Sequence, residues 1–230
     1  MLVSAAVADR RRINRFAGFL APDVQATVLD ITPGSDLLAR ALAPRVRSVV
    51  RLVGADSCEA QAPRISQEQG DPLKLPFPDE TFALVTCGPS FHHLASPQRV
   101  VSEMERVCRL GGRVGLEDIV GSEQEVRARY QNRLEKLRDR SHPGYLRLSD
   151  LISIFGHSGL TVRRVETLEL LREFNEWLSG ARPSPRRVEL ILRLLSGAQE
   201  ADLSGLGIRI SDDTVEFSQH LAWICAEKPQ

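Results

Sequence analysis

Hydrophobic positions follow one rhythm up to about residue 120 and another beyond it. In the first part, short apolar runs recur at Ala26–Ile31, Val46–Val53, Phe82–Cys87 and Val114–Ile119. Each is long enough for a strand and too short for a helix. Phe82–Cys87 is nearly continuous rather than alternating, which suits a strand covered on both faces. Between the runs the spacing turns helical. Leu37–Leu42 is a short helix that Pro44 ends, with Ser35 or Asp36 as its cap. Ser96–Arg109 places Val100, Val101, Met104 and Val107 on one face, and Gly111–Gly112 closes it. The polar stretch Gly54–Gln69 predicts a loop followed by a short strand at Arg64–Gln67. Ahead of all these, residues 1–20 form a helix with Val7, Ile13, Phe16, Phe19 and Leu20 on its apolar face and Arg10, Arg11, Arg12 and Arg15 in solvent.

Beyond residue 120 the pattern is mostly helical. Residues 122–140 are a charged helix with a stripe of Tyr130, Leu134 and Leu137, and Leu148–His157 is a second helix with Ser149 as N-cap. Leu160–Thr167 alternates like a strand. Helices follow at Phe174–Leu178 and Pro185–Leu195, the latter with Ser184 before a proline at its first position. Residues 197–213 are loop-rich, and Val215–Ala226 is a long final strand. Strands alternating with helices, then a helical stretch between strands, predict an α/β doubly wound sheet. We expect a single domain over 1–230. Its parts are an N-terminal helical segment (1–25), a core (26–120), a helical cover (121–158 and 171–213) and the last strands (159–170 and 214–230).

Charge narrows the partners. The formal net charge is +0, so no global field draws in nucleic acid or an anionic membrane. No apolar run is long enough to span a bilayer. The apolar LVSAAVA precedes the basic cluster, the reverse of a leader's order, so a cytoplasmic protein is expected. Cys58, Cys87, Cys108 and Cys225 have no ligand-like spacing and read as small buried thiols, with no metal expected.

Candidate chemistry gathers at strand ends. The stretch Val28–Leu38 is a strand, a tight turn holding Gly34, and a helix start, which is where a nucleotide-like ligand sits in an open parallel sheet. His92 and His93 follow the Phe82–Cys87 strand, where one would face a pocket as general base or serve as a bonded scaffold residue. Glu117 and Asp118 end the Val114–Ile119 strand, as pocket carboxylates or as a solvated strand end. Tyr130, His142, Tyr145 and Arg147 lie on the helical cover, with pocket, core and surface roles all open. Trp177 and Trp223 read as packing residues. No nucleophile elbow, Walker loop or zinc pattern is present.

The block GDPLKLPFPDETFALVTCGPSFHHLASPQRVVSEMERVCRLGGRVGLEDIV, with NRLEKLRDRSH and the ending EFSQHLAWICAEKP, resembles class I S-adenosylmethionine-dependent methyltransferases of the ubiquinone/menaquinone-biosynthesis type. The resemblance runs from about residue 26 to the C-terminus. It implies a Rossmann-like seven-stranded, mostly parallel sheet in the order 3-2-1-4-5-7-6, strand 7 antiparallel, with helices over a substrate pocket. It implies S-adenosylmethionine as cofactor, bound near Asp30, Gly34, Asp36, Val53, Asp71, Pro72 and Cys87.

Four departures bear on that cofactor. Asp36 stands where the family has its last loop glycine, placing a carboxylate where backbone and cofactor meet. Val53 stands where an acidic residue accepts the ribose hydroxyls. Pro72, after the adenine-facing Asp71, offers no N–H. The Gly54–Gln69 connection and the region before the first strand are short. Together they predict an impaired cofactor site. They favour a methyltransferase-fold protein that binds a small molecule and catalyses without moving a methyl, with His92, His93 and Glu117 as candidate catalytic groups. A pseudoenzyme acting as a protein-partner subunit or homo-oligomer stands beside it. The alternative is a working methyltransferase acting on O, N or C of a small molecule.

Overall fold

The computed structural model describes residues 5–54, 62–199, 204–211 and 214–230. Its elements are α1 (Ala5–Phe19), β1 (Thr27–Asp30), α2 (Leu37–Leu42), β2 (Ser48–Val53), β3 (Ile65–Gln69), β4 (Phe82–Cys87), α3 (Pro97–Val107) and β5 (Cys108–Val120). Then come α4 (Glu125–Arg138), α5 (Leu148–His157), β6 (Thr161–Glu173), α6 (Phe174–Ser179), α7 (Pro185–Gln199), β7 (Arg209–Ile210) and β8 (Val215–Glu227).

The strand order is β3-β2-β1-β4-β5-β8-β6, with β7 paired to β8. This is the expected Rossmann-like order once the two-residue β7, which runs antiparallel to β8, is set aside. β1 pairs in parallel with β2 and β4, β2 with β3, and β4 with β5.

Contacts divide the chain into two compact units. The first is Met1–Asp118, Ile152–Glu166 and Trp223–Gln230; the second is Ile119–Leu151 and Thr167–Ala222. In the first, Val28, Leu29, Val49, Leu84 and Val85 are fully or almost fully buried, as near-continuous apolar strands require. From one side Ile13, Phe16 and Leu20 of α1 and the turn after it are buried. The end of α1 comes so near β5 that a Cβ on Gly115 would lie 2.3 Å from Leu20 Cδ2. The LPFPD loop is tied down by Arg106 of α3. Its guanidinium donates to the carbonyls of Leu75 (3.1 Å) and Phe77 (2.9 Å) and to Glu103 and Asp79.

The second unit packs α4 and α7 around Leu134, Phe174, Trp177, Ile191, Leu195 and Phe217. The stripe on α4 differs from the expected one. Its buried face is Ala128, Gln131, Leu134 and Glu135, while Tyr130 and Leu137 flank the core half-buried.

Two other local expectations are corrected. α3 ends at Val107, and Gly111–Gly112 lie inside β5 rather than closing a helix. Pairing explains this: β5 meets β4 at Phe82↔Cys108 and again at Leu84↔Arg113, so the strand carries extra residues in a bulge. Ser149 is not a cap but sits within α5, giving its N–H (3.0 Å) and its hydroxyl (2.6 Å) to Glu123.

Cys87, Cys108 and Cys225 are buried free thiols, whereas Cys58 and the rest of residues 55–61 in the Gly54–Gln69 connection lie outside the described residues. Among the described residues no helix is long and apolar enough to cross a membrane.

Candidate functional site

The first unit builds a polar centre at the carboxyl ends of β1, β2 and β4. Asp30 ends β1 and is fully buried. Its Oδ1 accepts the Thr32 N–H at 3.0 Å and the Thr32 hydroxyl. The same hydroxyl accepts the Gly88 N–H at 2.7 Å, so Thr32 ties the turn after β1 to the loop after β4. Gly88 is itself crowded, since a Cβ there would lie 3.0 Å from Thr32 Cγ2. Asp30 Oδ2 is buried and has no hydrogen-bond partner among the described residues. Burial raises the Asp30 pKa against the lowering effect of Thr32, of the Arg51 charge and of the Ala39 N–H, which acts on the carboxyl without reaching bonding geometry.

Gly34 takes φ +67°, a left-handed conformation that favours glycine, and a Cβ there would meet nothing within 4 Å. Among the described residues, the space next to Gly34 is therefore open. Asp36 follows this turn at the start of α2. Its carboxylate accepts from Arg40 Nε one helical turn on, and it makes no side-chain cap bond to α2. This i,i+4 pair gives the Asp36 carboxylate a counter-charge on its own helix. Val53 is half-buried at the end of β2, its carbonyl accepting from Gly70 N–H at 3.2 Å. Asp71 is exposed and closes a tight turn through Pro72, its Oδ1 taking the Leu73 N–H at 2.8 Å. Cys87, ending β4, is fully buried, and burial together with Asp30 and Asp118 pushes its thiol pKa well up.

Of the three expected catalytic residues, His92 and Glu117 are held by partners inside the fold, and His93 is exposed. His92 is buried and clamped by Asp118, which accepts its N–H at 2.8 Å and contacts its Nδ1 at 2.7 Å. His93 is exposed, with its ring 4.2 Å from that of His92. Glu117 is fully buried, held by Arg12 of α1 on one oxygen and by the Trp223 indole N–H on the other. Its pKa is raised by burial, opposed by Arg12. Trp223 also packs against Phe16 and Phe19, each 5.6 Å away.

Arg51 was not anticipated. It is the single charge in SVVRLV, is 1% exposed, and its Nη2 donates to the Ser35 carbonyl at 2.8 Å. A lone arginine inside an apolar strand is the signal that marks it.

The second unit has its own polar cluster. Glu135 of α4 accepts from Tyr145 hydroxyl (2.7 Å), Gln219 Nε2 (2.8 Å) and Trp177 Nε1 (3.1 Å) on Oε1, and from Arg138 (3.1 Å) on Oε2. These groups, with Leu134 and Phe217, wall a cavity whose free interior is about 20 Å³, room for about one water. A basin of about 260 Å³ shares Val120, Gln131 and His220 with it and is bordered by Ser122 and Arg127. His142 is buried and accepts the Gly144 N–H at 3.0 Å, its ring 4.7 Å from that of Tyr145.

Known proteins carry the same features. Residues 29–116 match the family described as methyltransferase domain, a span that runs from β1 into β5. The chain is 29% identical over 184 residues to the uncharacterized methyltransferase YcgJ of Bacillus subtilis (strain 168), covering 76% of this chain and 73% of that protein. A solved Bacillus halodurans C-125 structure described as a methyltransferase is 25% identical, covers 95% of this chain and 99% of its own, and superposes with a TM-score of 0.85. A geranyl diphosphate methyltransferase solved with S-adenosylmethionine shares the fold alone, at 13% identity and a TM-score of 0.60 over 95% of this chain and 85% of that one.

Proposed function

We propose a function from one premise: the chain belongs to the class I S-adenosylmethionine-dependent methyltransferase family. The reading is a working methyltransferase that acts on an O, N or C atom of a small organic acceptor. The expectation of an impaired site rested on four departures, and one of them, the Asp36 carboxylate, is engaged by Arg40. Methyltransferases among the named relatives favour the same reading.

The observation that carries it is the buried, partnerless Oδ2 of Asp30 beside an open turn. A buried carboxylate oxygen without a donor costs about 1–3 kcal/mol or more, and an arriving ammonium would supply the missing donor. The residues therefore fit the cofactor. Asp30 would take its amino group, the backbone around Gly34 would lie along its amino-acid part, and Asp71 would face its adenine. When bound, the cofactor supplies a methyl group activated on a sulfonium. The chain's own part is to bind and orient: Thr32 locks the two loops together, and the buried β1–β4 pairing keeps them in place.

Val53 offers the ribose hydroxyls no acceptor, which weakens binding by about tenfold to a few hundredfold. Calorimetric titration with S-adenosylmethionine and S-adenosylhomocysteine tests the reading. Saturable binding at micromolar ligand is expected, and absence of heat up to millimolar ligand would overturn it.

A further inference from the structure

Arg51 is a costly residue where it stands. A buried guanidinium needs a counter-charge and hydrogen-bond acceptors, or it destabilises the fold. An acceptor comes from the turn after β1, and a counter-charge from Asp30 at the end of β1. In the parallel β1–β2 pairing Asp30 lies opposite Arg51, and the guanidinium reaches beyond β1 to the Ser35 carbonyl at 2.8 Å. Arg51 also lies two residues before Val53, on the same face of the strand.

Resting on the proposed methyltransferase reading, we propose that Arg51 is a positioning residue for the cofactor's amino-acid end, pinning the Ser35 carbonyl and supplying the counter-charge to Asp30 so that turn and carboxylate are set before the cofactor arrives. The turn has Asp36 at its last glycine position and needs another fastening. Ser35 is where Arg51 provides one.

The groups acting on Asp30 come from four sides. They are Arg51 on β2, the Thr32 hydroxyl and N–H in the turn, the Ala39 amide on α2, and Cys87 on β4. The thiol is kept neutral by its own raised pKa, so among the described residues Arg51 is the charge that opposes protonation of Asp30. A protonated Asp30 no longer attracts an ammonium. Removing Arg51 therefore moves the pH at which the ligand is lost upward.

The test is calorimetric titration of the full chain with S-adenosylhomocysteine from pH 5.5 to 8.5, with thermal melts as the folding control. Wild type is expected to bind, with affinity falling only toward the acid end. In Arg51→Met the fall should begin at least about one pH unit higher and run about tenfold per unit below its midpoint. Arg51→Lys should restore the wild-type midpoint while binding a few-fold more weakly at every pH, because the Ser35 bond is altered. The double variant Asp30→Asn/Arg51→Met should bind weakly and without this pH dependence. An Arg51→Met loss equal at every pH would overturn the inference and leave the methyltransferase reading standing. No binding by wild type would sink both. If Arg51→Met does not fold, Arg51→Lys decides: the wild-type midpoint with weakened affinity supports the role, and unchanged affinity overturns it.

Discussion

Replacing Glu135 by leucine tests whether the second unit is organised around a single carboxylate. Glu135 is 2% exposed and gathers four donors: Tyr145, Trp177, Gln219 and Arg138. Arg138 is about a fifth exposed and can turn to water. Tyr145 keeps the bond it accepts from Gln219 Nε2 at 3.1 Å, but its O–H loses the Glu135 acceptor. The Tyr145 O–H, the Trp177 indole N–H and one Gln219 N–H all lose that acceptor, at about 1–3 kcal/mol for each that stays buried without a new one. Against this stands the relief of no longer burying a carboxylate. The balance is a loss of about 2–4 kcal/mol. Glu135→Gln keeps an acceptor for Trp177 and Gln219 but turns an amide toward Arg138, so it should cost about half as much. Urea unfolding reads both as a fall in midpoint at constant slope. In a double-mutant cycle with Tyr145→Phe, a coupling of about 1 kcal/mol or more is expected for a shared network. A Glu135→Leu variant as stable as wild type would refute the reasoning, showing that burial of the carboxylate costs as much as its four bonds return.

Four further outcomes follow from the first unit. Val53→Asp should tighten S-adenosylmethionine binding by about tenfold or more, since hydrogen bonds to a charged acceptor contribute about 1.5–3 kcal/mol; an unchanged calorimetric Kd would mean the ribose lies elsewhere. Asp36→Gly alone should change that Kd little, because its charge is already held by Arg40. Thr32→Val keeps the shape but removes the acceptor of the Gly88 N–H and a donor to Asp30; a stability loss of about 1–3 kcal/mol and weaker cofactor binding are expected in thermal melts and titration, and a neutral variant would show the two loops are held by packing. Glu117 has a folded pKa raised above its ordinary 4.5, so its contribution to stability is full below 4.5 and is lost as pH rises through the folded value. Urea unfolding between pH 4 and 7 should therefore show a steeper decline with rising pH in wild type than in Glu117→Gln, and identical profiles would contradict the raised value.

Much of the architecture could be read from local pattern because the strands are buried on both faces. β4 and α5 begin and end at the expected residues, Phe82–Cys87 and Leu148–His157. The LPFPD block was recognisable as a motif, and the structure supplies its reason: one arginine, Arg106, bonds to carbonyls and carboxylates along it. Illegible features depend on distant partners. Gln131 and Glu135 looked like solvent positions on a charged helix, yet they bond to Ser204, Trp177 and Gln219, which no periodicity on α4 can foretell. The β5 bulge was missed for a related reason, since two glycines after a helix resemble its end until the pairing with β4 is known.

The cofactor turn shows where residue-by-residue comparison with a family pattern misleads. Asp36 stands where the family pattern has a glycine, and taken alone it argues against a ligand; Arg51 is a buried charge in an apolar strand. In the fold Asp36 is paired with Arg40 along one helix, and Arg51 lies opposite Asp30 in the β1–β2 register, where its charge acts on the Asp30 carboxyl. A charge can be neutralised by a second substitution elsewhere, so its net effect on a ligand is not readable from its own position. An absent acceptor is different in kind. Val53 has an aliphatic side chain with no field for a neighbour to cancel, and it stands at the end of β2 with its backbone carbonyl already bonded to Gly70. On the proposed reading, the energetic deficit of this site therefore concentrates at Val53, and a carboxylate placed at that position is expected to act on cofactor affinity more than a change at Asp36.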